Sequence, residues 1–88
     1  LSGRTLQLTL YYREGCHLCA TMLQALRRLQ SRLDFALELV DIDAHPDLQR
    51  RYDEWVPVLS EGEHEICHYQ LDEDALVQRC DAGAHPSG

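Results

Sequence analysis

Cys16 and Cys19 lie three positions apart, bracket His17 and Leu18, and follow directly on Gly15. A cysteine pair at this spacing supports three chemistries: a dithiol–disulfide couple, half of a metal site, or burial of two small apolar side chains. A zinc site wants a second ligand pair of similar spacing, and Cys67-His68 with the distant Cys80 does not supply one cleanly. The leading reading is therefore redox. A redox-silent or metal-holding module using Cys16, Cys19 and His17 stays open as the alternative, and no metal ligand set is assigned.

The redox reading gives the two sulfurs different tasks. A thiol at a helix start meets unpaired backbone N–H groups and the positive end of the helix dipole, so Cys16 is expected to be the thiolate and the attacking sulfur. Cys19, one turn further in, is expected to be the more buried thiol that resolves a mixed disulfide on Cys16. Arg13 places a permanent cation three residues upstream, and His17 sits between the thiols, so both are candidates for tuning the thiolate. A solvated arginine and an exposed helix-start histidine are the plain alternatives. Cys67 and Cys80 read as packed structural thiols. Among Tyr11, Tyr12, Tyr52, Trp55 and Tyr69, Trp55 is the best placed to line a substrate groove, with ordinary packing as the alternative. His45, His64, His68 and His85 show no ligand spacing.

The elements that must position these groups follow from periodicity. Leu6 to Tyr12 alternates and is rich in β-formers, which predicts a strand ended by Arg13-Glu14-Gly15. Met22, Leu26, Leu29 and Leu33 recur at helical spacing and predict a long helix from about His17 to Leu33. Phe35 to Ile42 is apolar on both alternating faces, the pattern of an interior parallel strand. Asp43 or His45 can cap a short helix with Pro46 in its first turn, running to about Asp53. Val56 to Ser60 and His64 to Tyr69 predict a hairpin across Glu61-Gly62-Glu63. A last helix is expected over Leu71 to about Cys80 with Asp72 as N-cap, and residues 81–88 read as a loose tail.

Composition narrows the function classes. The chain has 88 residues, 44% of them hydrophobic, which suits one domain spanning 1–88. Eight basic against fifteen acidic residues give a formal charge of −7, and Arg27, Arg28 and Arg32, like Arg50 and Arg51, fall on solvated helix faces. Nucleic acid is not an expected partner. No run approaches the roughly 20 apolar residues that cross a bilayer, and the N-terminus lacks the order of a signal peptide, so no membrane is expected and a cytoplasmic location is. The chain begins at Leu1 with Met22 as its only methionine, which leaves room for a longer native start.

Three segments carry a resemblance. Tyr11-Tyr12-Arg13-Glu14-Gly15-Cys16-His17-Leu18-Cys19, Val40-Asp41-Ile42-Asp43 and Trp55-Val56-Pro57-Val58-Leu59 resemble glutaredoxins and their thioredoxin-fold relatives over nearly the whole chain. The resemblance implies an α/β thioredoxin-like fold, a four-stranded mixed sheet with helices on both faces in the order β-α-β-α-β-β-α. It implies thiol–disulfide exchange at Cys16 and Cys19, with Arg13 where glutaredoxins often carry a lysine. It also implies a cis Pro57 facing the pair, with Val56 offering its backbone to an extended substrate beside Trp55. The expected partners are protein or low-molecular-weight disulfides, acting on a monomer that needs no cofactor beyond its own disulfide. Glutathione is a less certain ligand, because the Gly-Gly pair that lets backbone approach it has no counterpart in Ile66-Cys67-His68-Tyr69-Gln70-Leu71-Asp72.

Overall fold

The computed structural model describes residues 5–84. Its strands and helices are β1 (Leu6–Tyr12), α1 (His17–Leu29), β2 (Phe35–Asp41), α2 (Pro46–Tyr52), β3 (Val58–Glu61), β4 (His64–His68) and α3 (Glu73–Ala84), with one 3-10 turn at Ile42–Ala44 before α2. The order is the expected β-α-β-α-β-β-α. The sheet runs β2-β1-β3-β4, with β1 parallel to β2 and the β1/β3 and β3/β4 pairs antiparallel.

Alternation along β1 divides the molecule into layers. Leu8 and Leu10 point to one face, where they pack with Leu59 of β3, with Met22, Leu26 and Leu29 of α1, and with Leu76 of α3. Tyr11 points to the other face and stacks on Tyr52 of α2, ring centroids 4.5 Å apart. Helices thus cover both faces of the sheet. Cys19 lies on the same buried stripe of α1 as Met22, Leu26 and Leu29, so the helix that delivers the cysteine pair is anchored by the core it builds.

Several boundaries differ from the sequence expectation. The first helix stops at Leu29 rather than Leu33, because Ser31 Oγ donates to the Arg28 carbonyl at 2.7 Å and the Gln30 side-chain amide donates to the Phe35 carbonyl at 3.2 Å. These short-range bonds turn the chain toward β2. Leu33 still packs against the core from that turn. The second strand is an edge strand, not an interior one. Its apolar run reflects layers above and below, which cover an edge strand as readily as a central one, and Leu39 is left 37% exposed.

The third strand begins at Val58, since Pro57 has no N–H to give a ladder; the Val56–Pro57 peptide is cis and Pro57 is buried. The fourth strand ends at His68, where Tyr69 takes a left-handed φ of 66°. The Asp72 carboxylate accepts the Ala75 N–H at 3.0 Å, so Asp72 does cap α3 and the helix starts one residue later, at Glu73. α3 runs on to Ala84, four residues into the stretch read as loose, because no proline intervenes before Pro86. Residues 85–88 of that stretch lie outside the described residues.

Register decides which loops meet. Tyr12 pairs with Asp41 across the parallel strands, and Tyr11 pairs with Val58 across the antiparallel ones. The loop leaving β1, the 3-10 turn leaving β2 and the approach to β3 therefore emerge at one end of the sheet. That end carries Cys16, Asp43 and Pro57.

Candidate functional site

At that end the chain turns at Gly15, whose φ of 79° is one that a side chain disfavours. Nothing lies within 4 Å of a Cβ placed there, so the glycine serves conformation and not space. The turn puts Cys16 at the N-cap of α1 with an extended backbone, and the Cys19 N–H donates to Cys16 Sγ at 3.1 Å. The sulfur thus occupies the place that a serine or aspartate oxygen takes in an ordinary cap, where negative charge is favoured.

The two sulfurs lie at bonding distance from one another, with Cα atoms 5.2 Å apart. Cys19 is 4% exposed while Cys16 is half-buried, so Cys16 is the sulfur open to solvent. This asymmetry is what ordered attack and resolution require. His17 is exposed at the first position of the helix, and Leu18 is 44% exposed beside it.

Arg13 is held elsewhere. Its Nε and Nη2 donate to Asp43 at 3.2 and 2.9 Å, its Nη2 also reaches Asp53 at 2.8 Å, and its Nη1 donates to the Asp53 carbonyl at 3.3 Å. The bonds to Asp43 and then Asp53 hold its guanidinium above its usual range, and the same bond from Arg13 lowers the Asp43 carboxyl. Gln49 adds a donor to Asp43 at 2.9 Å. The arginine therefore works as a clamp: it joins the loop before Cys16, the turn after β2 and the segment leading to Pro57.

A second fastening holds that segment from the other side. Tyr69 OH donates to the Glu54 carbonyl at 2.8 Å, and the Tyr69 N–H donates to the Pro57 carbonyl at 2.9 Å. The Tyr69 ring stacks on Trp55 with centroids 5.9 Å apart, and His68 meets Trp55 edge-on at 5.3 Å. Trp55 is 48% exposed. These contacts hold Tyr69 in its left-handed conformation, which sequence reading did not single out.

The residues singled out from sequence thus fall into two neighbouring groups. Cys16, Cys19 and Arg13 line one pocket, together with Leu10, Leu23 and Leu39. Trp55 lines another, with Tyr52, Glu65 and His68, on the α2 face of the sheet. Val56 and Pro57 form the connection that the two fastenings hold. Cys67 and Cys80 are half-buried against the core, and burial pushes the Cys67 thiol up. Among the described residues no group of three or more His, Cys, Asp or Glu side chains is arranged to hold a metal ion.

Comparison with known proteins matches residues 7–80 to the Glutaredoxin-like domain (DUF836). The solution structure of protein Ne2328 from Nitrosomonas europaea is similar at 40% identity and a TM-score of 0.79, covering 91% of this chain and 96% of that one. The X-ray structure of protein XcR50 from X. campestris is similar at 33% identity and a TM-score of 0.67, covering 90% and 99% of the two chains. E. coli glutaredoxin aligns at 26% identity and a TM-score of 0.52, over 86% of this chain and 99% of that one. Comparison with curated proteins gave no significant match. With a thioredoxin-like sheet, a capped cysteine pair and a family match over most of its length, the chain belongs to the glutaredoxin-like family of the thioredoxin superfamily.

Proposed function

We propose that the chain is a thiol–disulfide oxidoreductase cycling between the Cys16–Cys19 disulfide and the dithiol. The observation that carries the reading is the asymmetric pair itself: an accessible sulfur capping a helix, and a buried sulfur one turn behind it. In the reductive direction the Cys16 thiolate attacks a substrate disulfide, forming a mixed disulfide and expelling one substrate thiolate, which takes up a proton. Cys19 then gives up its proton and attacks Cys16 Sγ, releasing the second substrate thiolate and leaving the Cys16–Cys19 disulfide. Two electrons pass to the substrate, and a dithiol reductant restores the pair.

In this reading Val56 offers its backbone to an extended substrate, with Pro57 fixing that backbone and Trp55 flanking it, as the family resemblance implies. The exposed His17 is a candidate for tuning the thiolate; Arg13, whose charge Asp43 and Asp53 share, acts on the site by holding its loops. The stretch from Ile66 to Asp72, where Tyr69 carries a stacked ring, lacks the Gly-Gly pair of glutaredoxins, and no step in this reading passes through glutathione. The substrates are protein or low-molecular-weight disulfides and the location is the cytoplasm.

The test is substitution with trapping. Cys16→Ser is expected to abolish disulfide reduction, and Cys19→Ser to accumulate a mixed disulfide detectable as an adduct in the intact mass. Reductase activity that survives Cys16→Ser overturns the assignment.

A further inference from the structure

The pocket beside the sulfurs lies on the flank away from the Pro57 segment, between the start of α1 and the β2 edge. Its volume is about 210 Å³, and Cys16 and Cys19 form part of its wall. Leu39 sits opposite Leu10 in the parallel register, so both face α1, and Leu23 closes the pocket from that helix. An apolar cavity of roughly 150 Å³ accepts benzene, so this one has room for a large aliphatic or aromatic side chain.

Two further features define what fits there. Leu18 and Leu39 are 44% and 37% exposed, which leaves apolar surface uncovered both between the cysteines and in the pocket wall. The charged lining of the pocket is Arg13 and Glu14, and the Arg13 guanidinium is already engaged by Asp43 and Asp53, which lie outside the lining. The lining thus offers an anionic ligand no cation that is not already paired, and one carboxylate that repels it.

We propose that this pocket is a specificity subsite for the apolar side chain next to the reacting cysteine of a peptide disulfide. The sulfur geometry fixes the occupant's class. A substrate must bring its own sulfur to Cys16, and the group that then reaches a pocket sharing the Cys16 wall is the side chain adjoining that sulfur. The inference rests on the thiol–disulfide reading and deepens it. It names apolar-flanked protein disulfides as the preferred substrates over disulfides flanked by carboxylates, such as glutathione disulfide. Cys16 and Cys19 pass two electrons to the peptide disulfide, which leaves as two thiols, and dithiothreitol returns the pair to the dithiol.

The experiment compares two terminally blocked peptides, Gly-Leu-Cys-Gly and Gly-Glu-Cys-Gly, each as its symmetric disulfide, alongside hydroxyethyl disulfide. A hydrophobic pocket discriminates by about 10-fold or more when it loses one good contact, so kcat/KM is expected to favour the leucine peptide by at least about 10-fold. Leu39→Ser, at a partly exposed position, should raise KM for the leucine peptide and cut the preference to about threefold or less. Leu39→Met, which keeps the volume, should retain it. Equal kcat/KM for the two peptides, or a preference unchanged in Leu39→Ser, overturns the subsite. Wild-type protein that fails to reduce even hydroxyethyl disulfide instead overturns the redox reading beneath it.

Discussion

In the fully reduced protein, iodoacetamide should distinguish Cys16 from Cys67 by a margin the structure sets. Cys67 is half-buried, and burial raises its thiol above the ordinary value of 9.0, so under about 1% of it is thiolate at pH 7. Cys16 caps α1 and receives the Cys19 N–H at 3.1 Å, a setting in which thiols of Cys-X-X-Cys pairs fall about one to five units below a free cysteine. Each unit of separation multiplies the thiolate about tenfold, while the weaker base loses intrinsic nucleophilicity with a slope of about 0.4–0.5. The net gain is about threefold per unit until the Cys16 thiolate is fully formed at the ambient pH, beyond which its falling nucleophilicity lowers the rate again. A separation of about 1.5 units corresponds to a Cys16 rate about fivefold above that of Cys67 at pH 7, before its better access is counted.

The assay is a quenched time course read by mass spectrometry of the two cysteine peptides. The ratio should narrow with rising pH once the Cys16 rate levels off, because the Cys67 thiolate is still increasing, and should approach one in concentrated urea. A Cys16 rate that is flat between pH 7 and 8 while the Cys67 rate climbs about tenfold is the expected signature of the lowered thiol. A Cys16 rate that still climbs about tenfold per unit between pH 7 and 8 would refute the reasoning, because that thiol would be titrating as an ordinary one.

Arg13→Gln tests the clamp through pH. The Asp43 carboxyl is held below its ordinary 3.8 in the folded protein, so its contribution to stability is present above that value and is lost as pH falls through the folded one. The Tm difference between wild type and Arg13→Gln should therefore be present near neutrality and shrink below about pH 4; a constant difference down to about pH 2 contradicts this. Leu26→Ala removes a fully buried side chain at the centre of the α1 stripe and should cost about 2–5 kcal/mol. At about 4–8 °C per kcal/mol for a domain of this size, calorimetry should record a fall in Tm of at least about 8 °C.

What the sequence disclosed, and what it withheld, divides by the range of the interactions. Helix α1 was legible because Met22, Leu26 and Leu29 repeat at its period, and β1 because its residues alternate. The Cys16–Cys19 pair stood out because its chemistry depends on a spacing within one turn. The end of α1 was less legible: bonds from Ser31 and Gln30 to nearby carbonyls compete with a helix that apolar spacing alone would have continued to Leu33. The edge position of β2 was hidden for a different reason. Periodicity reports whether layers lie above and below a strand, not whether another strand lies beside it.

Arg13 shows how long-range partners change a residue's task. Read beside Cys16, it is a cation three residues from a thiol. In the fold, Asp43 and Asp53, thirty and forty positions away, take its donors at 2.8–3.3 Å. A charge compensated by two carboxylates exerts a weaker field on a neighbouring thiolate than an isolated one, which shifts the favourable electrostatics at Cys16 onto the α1 N-terminus and the Cys19 amide. The arginine contributes geometry instead. With Tyr69 bonded to Glu54 and Pro57, it fixes both flanks of the segment that would meet a substrate, so the exchange proposed at Cys16 would depend on residues that never touch sulfur.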